Sequence, residues 1–381
     1  MQNVSDARVR LFLNALDEVA GLRVVDCKEE EPFEAEGRRL RLDFLVHAYL
    51  GGEKKVTALG IEALDSAYPR DAQLLTQRFA ARARYLAGAD EVPSEVPIVV
   101  ANYLSSATQE LLRKGHINFY EVESGTLYYR HGLRHIDIQR ESRAPAEQRK
   151  IRSVFSGARE QVVHALLEHW RREGDEAWVS GAELAAMAST SPFTVSTTMQ
   201  ELERQAWVDV TGSGPTLRRR LSRPDLLLDA WAQVWKQRLP KETSTRWYAY
   251  VRTSGGIVDY MLERLAKLDG WLMTGAGAAN AVVPHLTAVD RVTIIVPPGG
   301  VSKQWAADLK LEPAEKGSNV TFIERTGASL MFGDTHPERP GSGFASRFVI
   351  YLDLLNGVGR NKELAAEFRS RALKLGEMAS G

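Results

Sequence analysis

The stretch that most constrains how this chain folds is residues 179–220, where the start signals of two short helices follow each other closely. Ser180 and Glu183 have the spacing of a capping box, in which each side chain satisfies a free backbone N–H at a helix start. Ser191 and Pro192 then restart the chain as an N-cap and a first helical residue. The sequence therefore predicts two helices that meet across a tight turn.

The second of these helices has two distinct faces. Val195, Met199, Leu202 and, after the last turn, Trp207 have the spacing of one buried face. The remaining residues point outward, and they are the ones that a helix would offer to a binding partner. These outward residues are Phe193, Thr194, Ser196, Thr197 and Gln200.

Residues 207–220 predict a hairpin, because a short strand pattern, a glycine-containing turn and a returning strand follow in order. Helix, turn, helix and basic hairpin are the parts of a winged helix-turn-helix, which places its second helix in the major groove of double-stranded DNA. Three consecutive arginines in the hairpin suit phosphate contacts, which supply affinity and register. The predicted DNA contacts are Ser180, Ser191, Phe193, Thr194, Ser196, Thr197, Gln200, Thr211, Ser213, Arg218, Arg219 and Arg220. The alternative is a helical pair in an accessory domain of an enzyme, with its arginines solvated.

Length and charge limit the class of protein. A chain of 381 residues exceeds one typical core and predicts two or three domains. Because 49 Lys and Arg balance 49 Asp and Glu, a nucleic-acid site has to be a local basic patch. The single Cys27 excludes an intramolecular disulfide and a cysteine-rich zinc site. No apolar run reaches the ~20 residues of a membrane span, so we expect a cytoplasmic, nucleoid-associated protein without a membrane partner.

Residues 1–140 predict an α/β domain with the element order αβββαβαββ. With RRLRLDFLV on the second strand, GIEAL on the third and RDAQLLTQRF opening the next helix, this order resembles the PD-(D/E)xK restriction-endonuclease-like fold. The resemblance implies an acidic residue on the second strand and an acidic-x-Lys triplet on the third, which hold a divalent cation in nucleases. Asp43 and Glu62 match the acidic positions, whereas Leu64 stands in place of the lysine.

We therefore expect a degenerate domain without catalytic activity, metal or cofactor, in which Asp43 and Glu62 are ordinary polar residues at the end of the sheet. The domain would then serve DNA or protein contact. The alternative that stays open is a metal-dependent DNA endonuclease targeted by the winged helix. In that case Lys54 or Lys55, at the start of the third strand, would have to reach inward.

The C-terminal third predicts alternating α/β units after an amphipathic helix at residues 226–235. Its glycine-rich turn, residues 274–279, has Asn280 where a dinucleotide site needs a third glycine, and no acid ends the following strand. A nucleotide-binding function of the Rossmann type is therefore excluded. Residues 292–296 also lack the paired carboxylates that an active nucleotidyltransferase needs.

A second resemblance covers almost the whole chain, and the motifs that carry it lie in this third. The segments GWLMTGAGAANAVVPHL, RVTIIVP, NVTFIE and FVIYLDLLNGVGRNKELAAEFR are similar to the C-terminal domain of AbiEi-type antitoxins, from type IV abortive-infection toxin–antitoxin systems that act in phage defence. The matching positions are Tyr351, Asp353, Gly359, Arg360 and Glu363. The resemblance implies a winged helix that represses its own operon and an inactive nucleotidyltransferase-like domain that opposes a nucleotidyltransferase toxin. Longer members of that family carry an endonuclease-like domain in front.

The sequence as a whole predicts a multidomain α/β protein that is a DNA-binding autorepressor and antitoxin, and not an enzyme. Its expected partners are operator DNA with inverted or direct repeats, a second copy of the chain, and a toxin that residues 225–381 would neutralise directly. The predicted domains are an endonuclease-like domain at 1–140, a linker at 141–155, a winged helix-turn-helix at 156–223 and an antitoxin domain at 224–381.

Overall fold

The computed structural model describes residues 4–35, 37–87, 95–140, 154–238, 242–251, 256–336, 339–355 and 360–376, with the side chains of 336 and 339–342 left aside. The chain divides into two compact units. One is Met1–Glu147, and the other runs from Gln148 to Gly381 without Arg204–Ala206. Both units combine helices with a sheet, which confirms the predicted mixed α/β class. Among the described residues, no helix has the length and apolar character that crossing a membrane requires.

The first unit is built on a seven-stranded sheet whose strands lie in chain order. Its helices are α1 Ala7–Ala20, α2 Pro69–Ala87 and α3 Ser106–Lys114. Its strands are β1 Leu22–Ala35, β2 Arg38–Leu50, β3 Thr57–Ala67, β4 Glu95–Leu104, β5 Asn118–Glu121, β6 Thr126–His131 and β7 Arg134–Ile138. The pairs β3/β4 and β4/β5 are parallel and the other neighbours antiparallel. The predicted order is confirmed except for β7, an additional edge strand.

The two faces of this sheet carry separate cores, because successive residues of a strand point to opposite faces. Ile98 of β4 packs with α1 residues such as Phe12, whereas the next residue, Val99, packs with Phe79 of α2. The unit therefore has three layers, with α1 on one side of the sheet and α2 and α3 on the other. The end of α1 is fixed at Gly21, which has the positive φ of 67° that glycine adopts without strain.

The second unit contains a three-stranded sheet, ordered β8-β10-β9, and a mixed seven-stranded sheet, ordered β14-β11-β15-β13-β12-β17-β16. Its helices are α4 Gly157–Glu173, α5 Gly181–Met187, α6 Pro192–Arg204, α7 Pro224–Arg238, α8 Gly256–Leu265, α9 Gly275–Val282, α10 Val301–Asp308, α11 Arg347–Leu354 and α12 Asn361–Arg371, with 3-10 turns at Gly214–Thr216 and Gly327–Leu330. Its strands are β8 Val179–Ser180, β9 Val208–Thr211, β10 Arg218–Leu221, β11 Ser244–Tyr248, β12 Leu272–Thr274, β13 Val292–Val296, β14 Glu312–Pro313, β15 Val320–Glu324, β16 Asp334–His336 and β17 Arg339–Phe344. The neighbours β13/β15 and β12/β17 are parallel.

One continuous core runs through the whole of this unit. Leu166 of α4, Trp231 of α7 and Phe348 of α11 belong to the same buried cluster. The boundary predicted between residues 223 and 224 therefore lies inside a single packed body. Most of the predicted linker lies outside the described residues, and its last two residues, Val154 and Phe155, are buried in this core.

Candidate nucleic-acid interface

The two helices of the predicted motif begin where the sequence places their caps. Ser180 Oγ accepts a hydrogen bond from the backbone N–H of Glu183 at 3.2 Å, and the Glu183 carboxylate accepts one from the Ser180 N–H at 2.8 Å. That second bond holds the pKa of Glu183 below its ordinary value. Ser191 Oγ accepts from the N–H of Thr194 at 3.1 Å, and α6 begins at Pro192. The capping box and the restart of the chain are both confirmed.

The faces of α6 also follow the predicted pattern. Val195, Met199 and Leu202 are buried, and Trp207, which follows the helix, packs half-buried against the same core. Phe193 is 77% exposed. Ser191, Ser196 and Gln200 are exposed, while Ser180, Thr194 and Thr197 are half-buried. The first two turns of α6 thus present an uncharged surface with one large aromatic ring.

Local hydrogen bonds limit what the hydroxyl groups of this surface can donate. Thr197 Oγ1 donates to the carbonyl oxygens of Phe193 and Thr194 at 3.1 and 3.2 Å. The hydroxyls of Ser191 and Thr194 share a hydrogen bond at 2.9 Å. Since a hydroxyl carries one proton, Thr197 can offer a partner only its lone pairs and its methyl group.

The predicted hairpin is confirmed, with β9 antiparallel to β10 and Arg218 opposite Thr211. Arg218 also lies opposite Ser180 of β8, which joins the hairpin to the start of α5. At the tip, Gly212 has a φ of 75°, and a Cβ added there would lie 2.4 Å from the Thr216 carbonyl oxygen. Only glycine fits that turn. Thr211 and Ser213 are exposed beside it.

The structure separates the three arginines that the sequence treats alike. Arg218 is exposed. Arg219 is 8% exposed, and its Nε lies 2.6 Å from Oε1 of Glu203 on α6. Arg220 binds Asp209 at 2.7 Å and Glu176, and its guanidinium lies over the ring of Trp178. Alternate residues of a strand point to opposite faces, so Arg219 is turned toward α6 and Arg218 away from it. Of the three, Arg218 is the one placed to meet a phosphate without first leaving an ion pair.

The two acidic positions of the first unit lie side by side on β2 and β3. Asp43 Oδ2 accepts from the N–H of Ala63 at 2.9 Å, and Glu62 is 3% exposed. Burial, reinforced by the neighbouring Asp43 carboxylate, raises the pKa of Glu62 to about 8. Arg78 of α2 opposes that shift with its Nε 3.0 Å from Glu62 Oε1. The guanidinium group therefore offsets only part of the cost of burying the acidic pair.

The position of the nuclease lysine is filled by an apolar side chain. Leu64 is half-buried and packs with the core on the α2 face of the sheet. Lys54 and Lys55 are exposed in the turn before β3. Across the part of the chain that the structure describes, no group of three or more His, Cys, Asp or Glu side chains is arranged to hold a metal ion. The expectation that this unit does not cleave DNA stays a prediction.

In the second unit the antitoxin-like positions form interior contacts. The Asp353 carboxylate accepts from Trp235 Nε1 at 2.9 Å, from Thr274 Oγ1 at 2.7 Å and from both terminal nitrogens of Arg325 at 2.8 and 2.9 Å. Burial disfavours the charged form of Arg325. The carboxylates of Asp353 and Glu242 outweigh this effect and raise the pKa of Arg325 above its ordinary value. We call Trp235, Glu242, Thr274, Arg325 and Asp353 the Asp353 network.

The other matching positions divide between interior and surface. Tyr351 is buried and its hydroxyl lies 3.0 Å from Arg369, which also binds Asp229 at 2.6 Å. Arg360 and Glu363 form an exposed ion pair at 3.6 Å. Gly359 lies outside the described residues. The motif therefore marks packing and polar contacts of the second unit.

A polar stripe on α4, Gly157–Glu173, was not predicted from the sequence. Glu160 accepts from Trp231 Nε1 at 2.8 Å and pairs with Arg238. His164, fully buried, lies 2.8 Å from the Ala328 carbonyl oxygen and 2.7 Å from Ser346 Oγ. Because a carbonyl only accepts, Nδ1 carries the proton and Nε2 accepts from Ser346. Burial lowers the pKa of His164 to about 4, so the ring is neutral.

Glu168 continues this stripe, 1% exposed and paired with Arg171 at 2.9 Å. Residues 160, 164 and 168 share one face because four residues make about one helical turn. In the sequence these three residues resemble the solvated side of an amphipathic helix, because many residues of α4 are polar or charged, so spacing alone did not reveal their burial. Through Glu160 and His164 the stripe connects α4 to elements that follow the hairpin β9–β10.

Comparison with known families concerns this same unit. Residues 220–374 match the family described as "Transcriptional regulator, AbiEi antitoxin, Type IV TA system". Neither the curated proteins nor the solved structures contain a significant match. The matched segment starts in β10 and includes α7 to α12, fewer than half of the residues in the chain. The C-terminal part of this protein is thus similar to AbiEi-type antitoxins, a family of transcriptional regulators.

Proposed function

We propose that this protein is a sequence-specific DNA-binding repressor of its own operon and the antitoxin of a type IV toxin–antitoxin system. The observation that carries the proposal is that the segment similar to regulator antitoxins begins in the hairpin of a winged helix and shares one core with it. In this proposal the winged helix supplies DNA binding, and the matched segment supplies the link to a toxin.

The recognition surface is the first two turns of α6. Residues 192–200 carry no charged side chain. The acids that follow are turned away, since Glu201 is 6% exposed and Glu203 binds Arg219. The helix start therefore approaches the major groove without repelling phosphates, and its free N–H groups and dipole favour that approach.

The hairpin supplies contacts to the DNA backbone. Arg218 gives a phosphate an exposed guanidinium, while the hydroxyls of Thr211 and Ser213 lie on the same exposed turn. Such contacts act on every sequence and release counterions, so they set affinity and salt dependence. Arg219 has a different role in this arrangement, because its ion pair with Glu203 fixes the hairpin against α6.

The operator follows from how such motifs dock. Winged-helix proteins that bind as dimers, or as two copies, read half-sites separated by about 10 base pairs or a multiple of that spacing. Inverted repeats are expected for a symmetric homodimer and direct repeats for two copies side by side. Repression of the operon would limit the toxin, and residues 225–381 would oppose a nucleotidyltransferase toxin directly.

For the first unit we propose a degenerate PD-(D/E)xK domain that binds DNA or protein and does not cleave. Arg78 stands beside Glu62, and Leu64 occupies the lysine position. The test is incubation of the full chain with DNA and Mg²⁺ or Mn²⁺, beside the Glu62→Gln variant. Cleavage by the wild type that the variant loses would establish the endonuclease alternative instead.

A footprint on the DNA upstream of its own gene tests the repressor proposal. We expect one protected region at moderate salt, and the lack of any protection would remove the proposal.

A matched pair of variants then distinguishes a residue that contacts DNA from one that stabilises the hairpin. Arg218→Ala should weaken binding to all sequences and lower the salt slope by about one. Arg219→Ala, one residue away, should lower stability and leave that slope unchanged.

The antitoxin half of the proposal needs a separate experiment. The product of the neighbouring gene is expressed with and without the full chain. Rescue of growth together with co-purification would support direct neutralisation through residues 225–381. Rescue without co-purification would support an antitoxin that acts without contact, and toxicity that persists would remove the antitoxin role.

A further inference from the structure

Phe193 is the exposed residue that the fold of this unit explains least. It lies in the first turn of α6 and is 77% exposed. The buried face of the same helix is already filled by Val195, Met199 and Leu202. An aromatic ring that the core does not use, at the start of the proposed recognition helix, is placed to contact a partner.

The charges of α6 restrict which base pairs it can read. The commonest specific contact in the major groove is a bidentate bond from Arg or Lys to guanine O6 and N7. Residues 192–203 contain neither Arg nor Lys. Since Arg204 is the last residue of the helix, the turns that would enter the groove have no side chain for that contact.

The exposed groups that α6 does carry suit A·T base pairs. Thymine presents a 5-methyl group in the major groove, and apolar side chains such as Phe recognise it. Gln200 is exposed, and a glutamine amide can bind adenine N6 and N7 together. Thr197 adds no donor, because its proton is held by main-chain carbonyls.

Phe193 and Gln200 lie seven residues apart and therefore on the same face of the helix. That separation spans about 10 Å along the axis, at ~1.5 Å per residue. Bases of one strand are stacked about 3.4 Å apart, so the two side chains reach positions about three base pairs from each other.

We infer that Phe193 packs against the 5-methyl group of a thymine and that Gln200 reads an adenine about three base pairs away, so that α6 selects A·T pairs. The inference rests on the proposed repressor function and names what that site recognises. It makes Phe193 a specificity-determining residue, whose contact is with one methyl group on the DNA.

The experiment removes that methyl group without altering base pairing. Each thymine of the footprinted operator is replaced singly by deoxyuridine, and binding of the full chain is measured by fluorescence anisotropy. We expect about fourfold weaker binding at one position per half-site, the value of one buried methyl or methylene group. Phe193→Ala should bind the natural operator more weakly and no longer distinguish thymine from uracil at that position.

Controls keep the outcome specific. Leu133→Ala removes another exposed apolar side chain and should leave discrimination of thymine unchanged. Gln200→Ala should lose preference for adenine about three base pairs from the Phe193 position and keep the response to uracil. Melting temperatures of the variants verify that they are folded.

The outcomes separate this inference from the function on which it rests. If no operator is protected, the repressor function fails, and the inference falls with it. If an operator is protected but wild type and Phe193→Ala respond equally to uracil at every position, only the inference is overturned. A Phe193→Ala variant that changes oligomeric state or toxin binding while keeping operator affinity would likewise overturn it, in favour of a protein contact.

Discussion

Replacing Asp353 by asparagine should lower the stability of the second unit strongly, although the side chain hardly changes in shape. The carboxylate accepts four hydrogen bonds, two of them from Arg325, whose side chain is 4% exposed. An amide offers one acceptor atom and turns its NH₂ group toward donors. Arg325 then keeps Glu242 as its counter-charge but loses the second of the two carboxylates that balance its buried positive charge.

The magnitude follows from the burial of the pair. Removing one partner of a buried ion pair typically costs about 3–5 kcal/mol, because the other charge is left in a poorly polar interior. We expect Asp353→Asn to lower the free energy of unfolding by that amount. The matched control is Glu363→Gln, which removes the exposed ion pair with Arg360 in the same unit, whose side chains are 64% and 61% exposed. That change should cost less than about 1 kcal/mol.

The chain offers a selective assay. All 8 tryptophans lie between residues 170 and 305, so tryptophan fluorescence in urea follows the second unit alone. Circular dichroism, which follows both units, should show a transition of the first unit that Asp353→Asn leaves in place. A loss in the variant no larger than that of the Glu363→Gln control would refute the view that the Asp353 network is a desolvated support of the fold.

The other predictions concern pH and the division of the chain. The stability of His164→Asn should depend less on acid than that of the wild type. The neutral ring of His164 contributes stability that is fully present above pH 6.5, the ordinary pKa of histidine, and is lost as the pH falls toward about 4. In urea unfolding, about 3 kcal/mol of the wild-type advantage should disappear over that interval. Glu62→Gln acts in the opposite direction. The raised pKa of Glu62 makes the wild type lose stability as pH rises from 4.5 through about 8, so the variant should gain up to about 5 kcal/mol relative to the wild type by pH ~9. A pH-independent difference between the two would contradict this prediction. A fragment of residues 154–223 should melt without cooperativity in calorimetry, since Leu166 shares its core with Trp231 and Phe348; a sharp transition would show an independent module.

The parts that the sequence predicts well are those set by local chemistry. The capping box at Ser180, the start of α6 at Pro192 and the turn at Gly212 all depend on residues within a few positions of each other. The burial of Val195 and Met199 follows from helical spacing alone. For these features the folded chain adds distances and little else.

The features that sequence reasoning missed depend on partners far away in the chain. The three adjacent arginines look equivalent in the sequence. Yet Arg219 meets Glu203, and Arg220 meets Glu176, only after the chain has folded. Asp353 is recognisable as a motif residue, but its contact with Arg325 across the unit is not encoded by spacing. Strand β7 was missed because it is a five-residue edge strand with only two apolar residues, Ile136 and Ile138, too short for a clear strand pattern.

Under the proposed function, the single core of the second unit would make operator DNA a stabilising ligand of that whole unit. A ligand that binds only the folded state raises its stability by about 2.7 kcal/mol at about one hundred times Kd. Because α4 and α11 share one core, we expect that gain to extend from the proposed winged helix to the antitoxin-like segment. Under the proposed function, protein molecules that are not bound to DNA therefore unfold more often and are degraded by proteases first. The cellular lifetime of the antitoxin would then record how fully its own operon is occupied.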